Sequence, residues 1–227
     1  MFSQSCVSQS CVLITILCVL TVSSKKSQDS VREIVETLHV DNGGIFGKWG
    51  QYDYCAEGTY AIGYDMKIES HRGSGDDTSL NGVRLVCADV DGHVNGELIK
   101  STVGEWGSWA GETMCPSRNV SPQFLTSFSL QVEPYMFFKD DTSANYIKFM
   151  CRDYVGGSSN ELAKPPGNGM YGNWGSWSRS CPSYSAVCGI STRVEGHVWI
   201  LGDDTSLNDV HLHCCTEGRV ASEPFGK

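Results

Sequence analysis

The feature that most constrains this chain is a window that occurs three times: Asp76 to Cys87 (DDTSLNGVRLVC), Asp140 to Cys151 (DDTSANYIKFMC) and Asp203 to Cys214 (DDTSLNDVHLHC). The starts lie 64 and 63 residues apart, and the first and third copies share nine of twelve residues. Ahead of each window stands an aromatic-glycine element: GKWGQY at Gly47, GEWGSW at Gly104 and GNWGSW at Gly172. Between the two motifs apolar residues alternate with period two. They are Tyr60, Ile62, Tyr64, Met66 and Ile68, then Phe124, Phe128, Leu130 and Val132, then Cys188, Ile190 and Val194. Such alternation marks strands with one buried face. Each run ends in a glutamate, at Glu69, Glu133 and Glu195.

A unit of about 60 residues in three copies differs from a solenoid, which stacks many repeats of about 20 to 45 residues. Closure is the simpler solution. Three similar antiparallel sheets facing a common axis bury each apolar face against the other two, giving one all-β domain with pseudo-threefold symmetry. Between Val31 and Val40 the residues Ile34, Val35 and Leu38 also suit a helix, but the Asp41-Asn42-Gly43-Gly44 turn favours a strand pair. Residues 216–227 form a polar tail with little to bury.

Val12 to Val22 reads VLITILCVLTV, the length of a signal-peptide core and short of the roughly 20 residues that span a membrane. Small residues before Lys25-Lys26 place the cut after Ser24, so residues 1–24 read as a signal peptide and the mature chain as secreted. Cleavage removes Cys6, Cys11 and Cys18 and leaves eight cysteines, an even set without the close pairs that zinc prefers. Aligning the repeats pairs Cys55 with Cys87, Cys115 with Cys151 and Cys181 with Cys214; Cys188 and Cys215 are left for each other. Asn119-Val120-Ser121 is a glycosylation sequon. A net charge of -9 without a Lys/Arg-rich run excludes nucleic acid and anionic lipid as primary partners.

The WG elements, the three DDTS windows, the Cys214-Cys215 pair and the GIST-R-VE run resemble the vitelline membrane outer layer protein 1 family, from about Leu38 to Cys215. That resemblance implies a β-prism I fold, three Greek-key sheets about a pseudo-threefold axis spanning 38–215, after an N-terminal segment 25–37. It also implies a secreted protein of the outer egg envelope or of mucosal secretions, with mucin-like glycoproteins or glycans as partners and no cofactor. Fold does not grant function, however.

Three aspartate pairs, Asp76 with Asp77, Asp140 with Asp141 and Asp203 with Asp204, invite comparison with glycosidase carboxylates. A set copied in every repeat serves the repeat, and short acceptors before a strand bond backbone N–H groups; Asn81, Asn145 and Asn208 suit the same work. Three equivalent sites for sugar hydroxyls or calcium are the other reading. Trp49, Trp106, Trp109, Trp174 and Trp177 are expected to fill the interior, with stacking on sugars as the alternative. Trp199 breaks the repeat in a loop that corresponds to the one carrying Tyr135, Phe137 and Phe138. Variable loops on a repeated scaffold are where glycan recognition would sit.

His211 and His213 form an H-x-H pair, but Val210, Leu212 and Cys214 match the apolar faces of the other windows. The histidines therefore take the outward positions of Arg84 and Val86 in the first window and of Lys148 and Met150 in the second, and no metal site is expected. No nucleophile elbow, zinc helix or phosphate loop is present in the sequence, so no catalytic residue is assigned. The leading expectation is a structural, disulfide-stapled coat or barrier protein. A lectin-like module is the first alternative; the family resemblance implies a second, a weak lysozyme-like transferase of chito-oligosaccharide units, which needs a carboxyl with a raised pKa.

Overall fold

A computed structural model describes residues 32–69, 80–117, 121–133, 143–196 and 206–217. The signal segment, residues 218–227 of the tail and Asn119 lie outside the described residues, whereas residues 216 and 217 end the last strand. So do the window aspartates Asp76, Asp77, Asp140, Asp141, Asp203 and Asp204, and the loop aromatics Tyr135, Phe137, Phe138 and Trp199. Fourteen strands and no helix occur among the residues described. In chain order they are β1 (Arg32–Leu38), β2 (Lys48–Trp49), β3 (Asp53–Tyr54), β4 (Thr59–Ile68), β5 (Leu80–Asp89), β6 (Val94–Ile99) and β7 (Ser108–Trp109). The series continues with β8 (Thr113–Met114), β9 (Gln123–Val132), β10 (Ala144–Asp153), β11 (Asn160–Leu162), β12 (Asn173–Trp174), β13 (Ala186–Val194) and β14 (Leu207–Glu217).

They form three antiparallel sheets, as the repeats predict. Each is built on one long hairpin whose strands carry the period-two runs: β4 with β5, β9 with β10, β13 with β14. Each hairpin is flanked by a short outer strand on one side and by a short arm on the other. The first sheet runs β6-β5-β4-β7 with β8 also on β4, the second β11-β10-β9-β12, and the third β1-β14-β13-β2 with β3 also on β13. The inner strands β4, β9 and β13 touch one another at the axis. Tyr64, Leu85, Phe128, Leu130, Phe149 and Ile190 are fully buried there, and the area so removed from water drives the closure.

The arms correct the assignment of motifs to sheets. An aromatic-glycine element does not join the hairpin that follows it. It docks on the hairpin before it, and the element at Gly47, having no hairpin before it, closes the ring on the last hairpin. Backbone bonds repeat this docking: Gly50 N–H and Cys55 N–H donate to Thr192 O and Cys188 O, Ala110 and Cys115 to Met66 O and Ile62 O, Gly175 and Cys181 to Leu130 O and Thr126 O. The third sheet is thus assembled from both ends of the chain. The expected pairing of the Val31–Val40 stretch with its neighbour after the turn is also corrected, since β1 and β2 occupy opposite edges of that sheet. Pairing from Arg32↔Glu217 to Leu38↔Leu212 extends the folded domain beyond 38–215 to residues 32–217.

Inner strands are buried on both faces more fully than alternation alone implies; every residue of β9 is buried. Small outward residues make this possible, because the arms lie against them. Ser127, Ser129 and Ser191 donate to Ser178 O, Gly175 O and Gly50 O.

A ring of disulfides and, among the described residues, two side-chain hydrogen bonds tie the sheets together. The disulfides Cys55–Cys87, Cys115–Cys151 and Cys181–Cys214, with Cα separations of 5.7, 5.7 and 5.5 Å, join the third sheet to the first, the first to the second and the second to the third. These are the pairs obtained by aligning the repeats, and Cys188–Cys215 crosses β13 and β14 within one sheet. Near the other end, Ser143 Oγ donates to Asn208 Oδ1 (2.9 Å) and Ser206 Oγ to Asn81 Oδ1 (2.7 Å), again from one sheet to the next. Both serines adopt positive φ, 51° and 52°. The fully buried Asn145 and Asn208 donate back to Ser143 O and Ser206 O.

Candidate functional site

The outer faces of the sheets show how far symmetry holds and where it stops. Gly47, Gly107 and Gly172, with φ of 79°, 77° and 80°, each press against the backbone at the end of an inner strand, at Val194, Ile68 and Val132. Their spacing fixes the register of the arms as G-x-aromatic-G-x-W: Gly44 to Trp49, Gly104 to Trp109 and Gly169 to Trp174. Aligning GEWGSW on its first glycine misplaces the second copy by three residues. Trp109, and not Trp106, is the counterpart of Trp49 and Trp174.

None of these tryptophans fills the interior. Trp49 and Trp106 are exposed, and Trp109, Trp174 and Trp177 are half-buried. The axis is already filled by residues of the long hairpins, and the arms sit at sheet edges, so their rings spread over the outward side chains of the hairpins. In the first sheet Arg84 Cζ lies 4.4 Å from the Trp109 ring centre and its guanidinium binds the buried Asp65 carboxylate at 2.8 Å. In the second, Lys148 Nζ lies 4.5 Å from Trp174 and 5.1 Å from Trp177, and pairs with Glu161 at 3.1 Å. Each is a permanent cation on an aromatic face with a carboxylate partner.

The third sheet departs from this. His211 stands where Arg84 and Lys148 stand, stacked on Trp49 with centroids 3.9 Å apart and with the His39 ring edge-on at 6.2 Å. His213, the next outward residue, stacks on Tyr52 at 3.8 Å, and its Nδ1 shares a hydrogen bond of 2.8 Å with Tyr54 Oη. Burial lowers the pKa of both imidazoles, and a neighbouring imidazole adds to the shift, His39 for His211 and His211 for His213. The histidines do occupy outward positions, as the sequence pattern requires.

Asp209, two residues before His211, is the group that sequence reasoning missed. Its counterparts are Gly82 and Tyr146, so nothing in the repeat flags it. Its carboxylate packs against Gly43 and accepts from Val210 N–H at 2.8 Å. Burial pushes its pKa up to about 6, against the Val210 bond and the charges of Arg193 and His39. Elsewhere the turn between β5 and β6 brings possible ligand atoms of Asp89, Asp91 and His93 within 4.8 Å of one another. That turn is held by its own bonds: Asp91 N–H and His93 N–H donate to Asp89 Oδ1, and His93 Nδ1 lies 3.1 Å from Oδ2.

A closed three-sheet β-prism whose sheets are bolted in a ring by disulfides defines a class of rigid proteins suited to an oxidising, extracellular setting. The family model for vitelline membrane outer layer protein I matches residues 36–217, and the chain belongs to that family. Two curated relatives, each named vitelline membrane outer layer protein 1 homolog, are 40% (Mus musculus) and 37% (Homo sapiens) identical over 179 residues, 78% of this chain and 82% of each relative. Among solved structures, the Vibrio cholerae biofilm matrix protein Bap1 aligns with 83% of this chain and 25% of its own, at 7% identity and a TM-score of 0.39.

Proposed function

We propose that this protein is a secreted, rigid building block of an extracellular coat, an egg-envelope outer layer or a mucosal secretion, where it associates with mucin-like glycoproteins. The observation that carries this reading is the ring of three disulfides, each joining a different pair of sheets. A matrix component must keep its shape without a chaperone and in the presence of proteases, and covalent ties between sheets suppress the partial openings that proteases exploit. Family membership supports the same reading. The test is retention of the oxidised mature protein on immobilised mucin, compared with the same mucin stripped of its glycans. Saturable retention supports the proposal; passage through both columns rejects the mucin partner.

A second reading, weak transfer of chito-oligosaccharide units, is favoured by Asp209, a carboxyl raised to about 6 where it packs against Gly43. Turnover of a chito-oligosaccharide by the wild type that is lost in Asp209→Asn would support it, and absence of turnover in the wild type would reject it.

A further inference from the structure

The third sheet is the point at which the ring closes, and it is also where the fixed cation of the outer face, Arg84 or Lys148 in the other sheets, is replaced by His211. Its outer strand β1 and its arm, residues 48–54, come from the beginning of the chain; its hairpin comes from the end. Beyond the backbone pairing and the Ser191 bond to Gly50 O, the aromatic contacts that lay these two pieces on the hairpin's outward face run through imidazoles. His39 follows β1 and meets His211 edge-on. Trp49, Tyr52 and Tyr54 of the arm are held on His211 and His213.

We propose that the outer face of the third sheet is an acid-sensitive clasp: protonation of the stacked His211 and His213 loosens β1 and the 48–54 arm from β13 and β14. The three rings stand in a row, His39 beside His211 and His211 two residues from His213 on one face of β14, so a proton added to His211 or His213 is placed against a neighbouring imidazole. The groups facing the row do little to relieve this. From β14 there is Asp209, which itself takes up a proton as the pH falls, and from β13 there is Arg193, a further cation. From β1, Arg32 lies over the Tyr54 ring at 5.2 Å, and Glu36 is turned to Arg179 at 3.3 Å. On the arm Lys48 is a fixed cation, and Asp53 accepts from the Lys100 amide. Neutralising Asp209 relieves one buried charge while two stacked imidazoles gain theirs, so the sum opposes closure.

The first and second sheets supply the internal control. There the same outward position holds Arg84 or Lys148, already charged and paired with Asp65 or Glu161, so acid between about pH 7.5 and 5 changes little. Opening of the third sheet stays local, because Cys55–Cys87, Cys181–Cys214 and Cys188–Cys215 hold the pieces on either side of the clasp.

The test is amide hydrogen exchange of the intact, oxidised protein at about pH 7.5 and about pH 5, expressed as protection relative to intrinsic rates. Protection in residues 32–39 and 48–54 is expected to fall about tenfold or more, while the equivalent outer strands and arms of the first and second sheets change less than about twofold. In the variant His39→Gln/His211→Gln/His213→Gln the differential loss disappears. An equal loss in all three sheets, or a loss that persists in the variant, overturns the proposal. Should the variant not fold, titration of the wild-type histidine C–H resonances decides. Shifts of β1 and arm amides that follow the His211 and His213 titrations support the clasp, and amides that ignore those titrations overturn it.

Discussion

Ser143 and Asn208 lie in different repeats and different sheets, yet the Ser143 hydroxyl donates to Asn208 Oδ1 at 2.9 Å while Asn208 is wholly buried. Ser206 and Asn81 repeat the relationship between the next two sheets. The serine and asparagine of the DDTS-x-N window therefore serve the architecture, joining sheets where no backbone ladder runs.

Replacing Asn208 by alanine leaves the Ser143 hydroxyl without this acceptor and removes the donor to Ser206 O. Loss of buried partners of this kind costs about 2 to 3 kcal/mol, which corresponds to a drop of roughly 5 to 10 °C in Tm for a domain of this size. Ser143→Ala removes one donor and leaves the Asn208 amide bonded to Ser206 O, so it costs less, about 1 kcal/mol. Thermal denaturation of the two variants in parallel checks both the size and the order.

Most of the architecture is legible in the sequence because threefold repetition and period-two alternation leave closure of three sheets as the economical solution. Its wiring is less legible. Nothing in GKWGQY says that its arm pairs with β13, near the far end of the chain, and not with the hairpin directly after it. The register of the arms is written in the glycines, but the WG dipeptide of the second copy, Trp106-Gly107, draws the eye to the wrong tryptophan. Gly104 and Gly107 align with Gly44 and Gly47, and with Gly169 and Gly172, only once the positive-φ glycines are known. Asp209 was hidden for another reason. It replaces a glycine in one copy and a tyrosine in another, so its significance depends on what packs over it.

The register makes its own prediction. At Gly107, φ is 77° and a Cβ would land on the Ile68 carbonyl group. An alanine there meets both an unfavourable backbone conformation and a backbone contact that cannot yield. Gly107→Ala is expected to destabilise by about 2 kcal/mol or more, with Gly47→Ala and Gly172→Ala alike, since their neighbours at Val194 and Val132 are the same atoms. Gly96, whose φ of 83° is similar but whose Cβ position is open, should cost less. Urea unfolding of the four variants separates crowding from conformation.

The disulfides differ in what they connect. Cys55–Cys87 and Cys188–Cys215 span 32 and 27 residues, so the chain-entropy model gives both about 3.5 to 4 kcal/mol. Paired serine substitutions should thus lower global stability by similar amounts. Their local signatures should not match. Removing Cys55–Cys87 releases a tie between the third and first sheets and should raise amide exchange in both, whereas removing Cys188–Cys215 should raise it only along β13 and β14. Native-state exchange read strand by strand tells the two apart.

Asp209 gives a pH dependence of definite sign. Its carboxyl has a pKa of about 6 in the folded protein against an ordinary value of 3.8, because burial disfavours the ionised form. Folding therefore favours the protonated carboxyl. The stabilisation this gives is complete below about pH 4 and is lost as the pH rises through about 6, so at neutral pH the ionised side chain weighs against the fold. An asparagine side chain in its place would keep an acceptor for the Val210 amide and carry no charge. The variant Asp209→Asn should therefore be more stable than the wild type by roughly 1 to 2 kcal/mol at about pH 7.5, after allowance for the partial exposure of the site and the lost attraction to Arg193. The difference should shrink between about pH 6 and 4 and vanish below that. Equilibrium denaturation of both proteins across this range checks it: a gap that is constant with pH, or that widens in acid, would show that the carboxylate is not held in the buried state described.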